Sequence, residues 1–398
     1  MTDATPTHQV GALRVGMIGY AFMGAAHSVG WRTAPRVFDL PLRPELAVIA
    51  GRDADAVAAA ADRLGWAETE TDWRALLARE DIDLIDICTP GDSHAEIAIA
   101  ALEAGKHVLC EKPLANTVAE AEAMVAAAEA AAARGQVAMV GFNYRRVPAM
   151  TLARQWIAEG RLGTIRQVRA QYLQDWIIDP QFPLVWRLRK ELAGSGALGD
   201  IGAHIVDLAQ FLIGANIVGV SGITETFIKQ RPVLAASGSG LSASGGTETG
   251  EVTVDDAALF TARFAGGAVG SFEATRFATG RKNALRIEVN GSDGTLAFDM
   301  EAMNELSYYD NREPATSAGF RRILVTESDH PYLSAWWPPG HIIGYEHSFV
   351  HEVRDLVTAI GTGTPVSPTF ADGLQVQRVL DAVEHSAANH STWQEIAS

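Results

Sequence analysis

The chain has 398 residues, 47% hydrophobic and 20% charged, the balance of a globular protein with room for two ordinary domains. Its net charge of −16, from 32 basic and 48 acidic residues, excludes nucleic acid and an anionic membrane surface as main partners, because both need clustered positive charge. The two cysteines, Cys88 and Cys110, stand at predicted strand ends and read as small buried hydrophobes in a reducing, cytoplasmic setting. Residues 1–9 are polar without the apolar centre of a secretory signal, and no apolar run approaches the ~20 residues of a membrane span.

Residues 13–19 read as a buried strand that runs straight into Gly19-Tyr20-Ala21-Phe22-Met23-Gly24, with a helix expected to about residue 31. This is the strand–turn–helix setting of a dinucleotide fingerprint, in the form G-x-A-x-x-G, and makes Gly19, Phe22, Met23 and Gly24 candidate cofactor contacts. Ala21 stands where a second glycine usually lets backbone approach a pyrophosphate; one methyl group is a mild obstruction. Residues 35–44 carry three prolines and look like an inserted loop. A second strand follows over 45–50, then an alanine-rich helix over 53–64 stopped by Gly65. At the end of that strand Asp53 can take a ribose 2′-hydroxyl or cap the helix, and Arg52 can meet a 2′-phosphate or be solvated. NAD and NADP therefore both remain open at this point.

The third strand, 83–88, leads into Thr89-Pro90 and a helix to residue 104, which Ser93 and Glu96 open with capping-box spacing. His94 falls in its first turn, facing the crevice mouth or simply lying on the surface. Residues 106–110 form the fourth strand and deliver Glu111-Lys112-Pro113. A lysine fixed at the carboxyl end of a parallel sheet lies where open α/β folds bind ligands, although a solvated strand cap has the same appearance. Thr117 and Glu120 again match a capping box, opening a helix to about residue 133, and 136–140 is a fifth strand. This alternation implies a doubly wound parallel sheet. Gly141-Phe142-Asn143-Tyr144-Arg145-Arg146 leaves that sheet on its carboxyl edge, which places a dinucleotide-binding domain at 1–147 and a substrate-binding and oligomerisation domain at 148–398.

The second half has a different rhythm. Strands are expected over 164–174, 218–228, 253–264, 268–275, 285–290 and 295–299, with turns at Gly266-Gly267 and Ser292-Asp293-Gly294. Successive strands suggest an α+β domain with a large, mostly antiparallel sheet open on one face. The Gly/Ser-rich run 235–250 reads as a flexible excursion, and 347–360 and 373–387 as late helices packed on one of the domains.

The chemistry gathers in Ser195-Gly196-Ala197-Leu198-Gly199-Asp200-Ile201-Gly202-Ala203-His204-Ile205-Val206-Asp207. Asp200, His204 and Asp207 have the i, i+4, i+7 spacing of one helix face, a pattern that an ordinary exposed ion pair also produces. No metal is expected, because further ligands are lacking and the cysteines are badly placed to supply them. Proton transfer suits the residues better. Removing a hydride from a carbinol carbon requires loss of the hydroxyl proton, and histidine titrates in the right range to accept it. A nearby carboxylate can orient the imidazole, and a lysine can stabilise the developing alkoxide. Lys112, Asp200 and His204 meet these three needs.

Glu111-Lys112-Pro113 after the fourth strand, with Gly199-Asp200-Ile201-Gly202-Ala203-His204 in the second half, resembles the glucose–fructose oxidoreductase/inositol dehydrogenase (Gfo/Idh/MocA) family over nearly the whole chain. The resemblance implies an N-terminal Rossmann domain, a C-terminal α/β domain with a large open sheet, a tightly held nicotinamide cofactor, and dimers or tetramers through the sheet face. It places the catalytic lysine, aspartate and histidine on Lys112, Asp200 and His204. Thr89, Pro90 and His94 fall where the family borders the nicotinamide, and Glu111, Lys112 and Arg145 fall near the cofactor. Asn143-Tyr144-Arg145-Arg146-Val147-Pro148-Ala149 and Tyr172-Leu173-Gln174-Asp175-Trp176 are similar to the branch that oxidises the C3 hydroxyl of pyranose rings and anhydrosugars with NAD. Tyr144, Gln174, Trp176 and Arg187, with Lys112, Asp200 and His204, are then the candidate sugar contacts, since a sugar needs an apolar face to rest on and fixed polar groups for its hydroxyls. The tryptophans serve equally well as sheet-core residues. Related polyol dehydrogenases, inositol dehydrogenases among them, and redox-neutral NAD-dependent glycosidases share much of this pattern. Trp336-Trp337-Pro338-Pro339 and Tyr345 are candidates to close the site.

Overall fold

The structure, a computed structural model, describes residues 11–234 and 245–396. Its first layer alternates β1 (Gly11–Ile18), α1 (Phe22–Val37), β2 (Leu42–Ala50), α2 (Ala54–Leu64), β3 (Glu68–Glu70), α3 (Trp73–Leu77), β4 (Leu84–Ile87), α4 (His94–Glu103), β5 (His107–Cys110), α5 (Val118–Ala132) and β6 (Ala138–Val140). The strands are parallel, in the order β3-β2-β1-β4-β5-β6. β4 and β5 are almost wholly buried, as expected where helices cover both faces of a parallel sheet. The strand order reverses at β1 and β4, so the ligand crevice of the sheet opens beyond their carboxyl ends.

Two local expectations are corrected. The inserted loop expected over residues 35–44 shrinks to four residues, because α1 continues to Val37 with Pro35 inside it and β2 begins at Leu42. Trp31 and Ala34 are fully buried, so packing holds the last turn although Pro35 has no N–H to donate. Pro44 fits in β2 because β3 pairs only with Val48, Ile49 and Ala50 and leaves that edge open at Pro44. Ser93 does not form a capping box: its hydroxyl bonds Thr89 and the Pro90 carbonyl, while Glu96 pairs with Arg74. The box of Thr117 and Glu120 is present.

The second layer continues with α6 (Pro148–Ala158), β7 (Ile165–Leu173), α7 (Lys190–Ala193), α8 (Ala203–Ile213), β8 (Ile217–Glu225), β9 (Gln230–Leu234), β10 (Gly245–Glu251), β11 (Ala257–Phe264), β12 (Val269–Thr275), β13 (Ala284–Gly291), β14 (Gly294–Asp299), β15 (Glu305–Asp310) and β16 (Arg321–Leu324). α9 (His347–Thr362), α10 (Phe370–Ala388) and the short β17 (Gln394–Glu395) complete it. Nine strands pair in the order β16-β15-β14-β13-β7-β12-β11-β8-β17, antiparallel except for β7 with β12. In β11 Phe260, Ala262 and Phe264 are buried while Leu259, Thr261 and Arg263 are exposed, so one face packs on helices and the other is open. β9 and β10 form a separate hairpin. Residues 245–250 of the expected Gly/Ser-rich excursion are thus strand, and 235–244 lie outside the described residues.

α9 packs on α1, and α10 lies against both α5 and β8. The helical stretch Lys190–Ile213 is long and apolar enough to cross a membrane by composition, which corrects the expectation that no run approaches that length. It is mostly buried within the fold. Both cysteines are buried and free.

Candidate active site

The turn between β1 and α1 fits a dinucleotide phosphate. Gly19 has φ +101°, and a Cβ there would lie 2.7 Å from the Cys88 carbonyl oxygen; one at Gly24 would lie 2.3 Å from the Gly19 oxygen. Ala21, extended at φ −74° and ψ −154°, adopts a conformation open to any residue, so the departure from glycine costs nothing in backbone strain. Its side chain makes no cap, and the first backbone bond to it comes from Ala25, so the amides of Phe22, Met23 and Gly24 are free to face an anion. Phe22 is exposed, and its ring stacks at 6.4 Å on Tyr345. Of the two readings of Asp53, capping is realised: Oδ1 accepts the Ala56 N–H. Arg52 is exposed beside it.

Lys112 leaves the end of β5 through Glu111, and its bond to Pro113 is cis. Its ammonium reaches the second layer, 2.8 Å from the Asp200 carbonyl oxygen and 3.3 Å from Asp200 Oδ1. Asp200 sits in a π-helical turn, Leu198–Gly202, that leads into α8; such turns often mark functional sites. Asp255 shapes the approach to that turn by accepting the N–H groups of Gly196 (2.6 Å) and Leu198 (2.8 Å). A Cβ at Gly196 would stand 1.7 Å from the Asp255 carbonyl oxygen, so this glycine is required for the approach. The second oxygen of Asp200 lies 3.5 Å from Nη2 of the fully buried Arg276.

One turn on, His204 is buried with its ring against Tyr144 (4.4 Å), Tyr172 (5.9 Å) and Phe142 (6.1 Å). Among the described residues neither ring nitrogen has a hydrogen-bond partner, and this corrects the expectation that Asp200 orients the imidazole. Asp200 is committed to Lys112 and Arg276, and aromatic packing holds the ring instead. Burial, joined by the Lys112 ammonium, pushes His204 well below its ordinary pKa, with Asp200 opposing. Burial also resists ionisation of Asp200, but Lys112, Arg276 and Arg187 outweigh it and hold the carboxyl well below the usual carboxylate range. The pair is therefore a neutral imidazole beside an ionised carboxylate.

A hydrogen-bonded row lines the adjoining wall. The Tyr144 and Tyr172 hydroxyls lie 2.7 Å apart, and Tyr172 donates to Asn283 Oδ1 at 2.7 Å. Gln174 donates to the same oxygen at 2.9 Å and accepts from Trp176 Nε1 at 3.0 Å. Arg276 lies 5.5 Å from the Trp176 ring, and the half-buried Arg187 rests 4.4 Å over Trp186. β7 and β12 bring Gln174, Trp176 and Arg276 to one edge because they are the single parallel pair of that sheet.

Several expected residues have other partners. His94 is buried, not on the surface: its ring spans the Pro113 and Thr89 carbonyls at 3.0 and 2.9 Å, tying the Thr89-Pro90 turn to the residue after Lys112. The buried Arg145 is engaged with Asp207 (2.5 and 2.9 Å), Ser367 and Asp372, so Asp207 belongs to a structural pair rather than to the Asp200 and His204 cluster. Trp336 packs on Phe38 and donates to His351, and Trp337 is exposed; of that group only Tyr345 reaches the site, 6.3 Å from Tyr144. Sequence reasoning missed Arg276, Asn283 and Asp255. A cavity lies away from all of this, on the outer face of the nine-stranded sheet around Gln171, Ile223, Leu259 and Glu273. It gathers no catalytic constellation.

The N-terminal half matches the family described as oxidoreductase family, NAD-binding Rossmann fold, over residues 13–142, and the second half matches the GFO/IDH/MocA C-terminal domain over 150–297. The levoglucosan dehydrogenase of Pseudarthrobacter phenanthrenivorans is 44% identical over 95% of this chain and 97% of its own. An oxidoreductase domain protein from Kribbella flavida superimposes with a TM-score of 0.93 at 66% identity, covering 98% of this chain and all of that one. A levoglucosan dehydrogenase in complex with NADH and levoglucosan superimposes with a TM-score of 0.91 at 43% identity, covering 97% and 99% of the two chains. The chain belongs to the GFO/IDH/MocA family of NAD-binding oxidoreductases.

Proposed function

We propose that this enzyme oxidises a secondary ring hydroxyl of a pyranose sugar or anhydrosugar, levoglucosan or a close analogue, at C3 to the 3-keto product. The observation that carries the reading is the meeting of Lys112, Asp200 and an unpartnered His204 beside the Tyr144, Tyr172, Asn283, Gln174 and Trp176 row. Similarity across almost the full length to levoglucosan dehydrogenase supports it.

The turn between β1 and α1, with the amides of Phe22, Met23 and Gly24, would hold NAD, which when bound would supply the hydride acceptor for the carbinol carbon. His204, neutral and with free ring nitrogens, takes the hydroxyl proton. Lys112 donates a hydrogen bond to the developing alkoxide. Asp200 fixes the Lys112 ammonium in place and, by its charge, favours the imidazolium that forms. Trp176 offers an apolar face to the ring, and Gln174, Tyr144 and Arg187 meet its other hydroxyls. Tyr345 lies between Phe22 of the phosphate turn and Tyr144, so it spans the space between cofactor and sugar. Thr89, Pro90 and Glu111 line the nicotinamide end from the sheet edge, with His94 bracing them.

The first domain runs to residue 147 and the second from 148, and the outer face of the large sheet joins copies of the chain into a dimer or tetramer in the cytoplasm. The reading is tested with levoglucosan deuterated at C3. Transfer of the label to the reduced nicotinamide, with a 3-keto product by NMR, is expected. Label retained in the sugar with net NADH formed would point to another carbon, and turnover without net NADH to a redox-neutral glycosidase.

A further inference from the structure

Behind Lys112 lies a second charged cluster that the chemistry above does not use. His27 on α1 is 1% exposed, Asp86 on β4 is 0%, and Glu111 is 3%. The ring is clamped from both sides: Nδ1 stands 3.0 Å from each Asp86 oxygen, and Nε2 stands 2.9 Å from Glu111 Oε1. Asp86 also accepts from Trp31 Nε1 at 2.7 Å and from the Cys88 thiol at 3.5 Å. The other Glu111 oxygen accepts the backbone N–H of Lys112 at 3.1 Å. His27, Asp86 and Cys88 have donor atoms close enough for a metal, but the imidazole and carboxylate are bonded to each other and to Trp31, which accounts for them without an ion.

Both ring nitrogens face carboxylate oxygens, which accept and do not donate when ionised. Only an imidazolium can donate to both sides at once. Burial opposes that charge, and Asp86 and Cys88 override it, so His27 titrates well above its ordinary range. Phe349 of α9 closes over the ring at 5.3 Å, and the buried Glu352 on the same helix adds a further acid nearby. An unclamped Glu111 would be a buried carboxylate free to turn away from the Lys112 amide.

We infer that His27 is a positioning residue for the reaction: held as a cation by Asp86, it fixes the Glu111 carboxylate, and Glu111 fixes the backbone from which Lys112 reaches Asp200. The inference rests on the assignment of Lys112 above. It concerns the chain's own geometry and no direct contact of His27 with the cofactor.

The test compares the wild type with His27→Ala, His27→Gln, Lys112→Met and the double variant His27→Ala/Glu111→Gln. Turnover, NADH affinity by fluorescence and thermal stability are measured for each. His27→Ala is expected to lower kcat at least tenfold and to lower Tm, with the NADH Kd changed by a smaller factor than kcat. His27→Gln, which can donate to Glu111 alone, is expected to recover part of kcat. The double variant removes one of the two carboxylates left without the imidazolium, so its Tm recovers in part while kcat stays low, because the amide that replaces the Glu111 carboxylate is untethered. Recovery of kcat together with Tm would reduce His27 to a structural role and overturn the inference. The ¹⁵N-labelled wild type gives a readout independent of folding: both His27 nitrogens should be protonated at neutral pH, and a neutral ring would equally overturn it. Should Lys112→Met keep normal turnover, the assignment of Lys112 fails; should it be inactive while His27→Ala is unimpaired, only the role of His27 fails.

Discussion

At the scale of single residues, the site works because burial and the Lys112 ammonium keep one histidine neutral against the pull of the Asp200 carboxylate. Lys112→Met removes the alkoxide partner and should lower kcat by about 10²–10⁴-fold, with NADH Kd nearly unchanged by fluorescence titration. It should also move the pH profile. In the wild type His204 lies well below its ordinary value of about 6.5 through burial and Lys112, so the acid limb of kcat/KM should fall below pH 6.5. Loss of the ammonium lets His204 rise, so the acid limb of the residual activity should shift upward. Stability follows the same signs. A histidine depressed in the folded state and a carboxylate depressed in the folded state both favour unfolding as pH falls: His204 below about 6.5, Asp200 below the ordinary carboxylate range. Scanning calorimetry should show Tm dropping through that window, and less steeply once His204 is replaced by Asn. A second residue-scale change is structural. Asp207→Ala leaves Arg145 buried without its main partner and should cost about 3–5 kcal/mol in chemical denaturation.

At the scale of elements, the turn before α1 and the turn before α8 bear the function, and each depends on close backbone approach. Gly24→Ala would drive a methyl group to 2.3 Å from the Gly19 oxygen, so the phosphate turn must open. NADH affinity should fall more than tenfold by fluorescence, while the far-ultraviolet circular dichroism is retained; unchanged affinity would show that the turn adjusts without loss. Most of these elements were legible in the sequence, because the strand–turn–helix order and the Gly196, Gly199 and Gly202 spacing are local signals. Three features were not. The persistence of α1 past Pro35 depends on the burial of Trp31 and Ala34, a tertiary effect. The commitment of Asp200 to Lys112 rather than His204 depends on the π-turn, which spacing on an ideal helix does not reveal. Arg276 reaches the site because β12 runs parallel to β7, and Asn283 because β13 begins beside the end of β7 in an antiparallel pair, non-local pairings with no mark in any of these segments.

At the scale of the whole molecule, the two sheets are bound together by Lys112 reaching to Asp200, by Arg145 to Asp207, and by α10 lying against α5 and β8. The crevice edge of one sheet thus meets one edge of the other, and chemistry collects where they meet. The outer face of the large sheet exposes Ile223 (54%) and Leu259 (43%) amid charged neighbours. If this face joins copies of the chain, as proposed above, joint replacement of Ile223 and Leu259 by Glu should shift the mass in light scattering from oligomer to monomer without unfolding the chain. An unchanged mass would place the contact elsewhere.

The central claim is that this crevice oxidises a pyranose ring with NAD. The most direct measurement is the initial rate of reduced-nicotinamide absorbance with levoglucosan, glucose, simple glucosides, galactose, inositols and sugar acids, each with NAD and with NADP. Turnover on levoglucosan or another pyranoside, fastest with NAD and lowered about 10²–10⁴-fold by Lys112→Met, is the predicted result. Turnover confined to inositols, or no NADH from any pyranoside by an enzyme that still binds NADH, would contradict it.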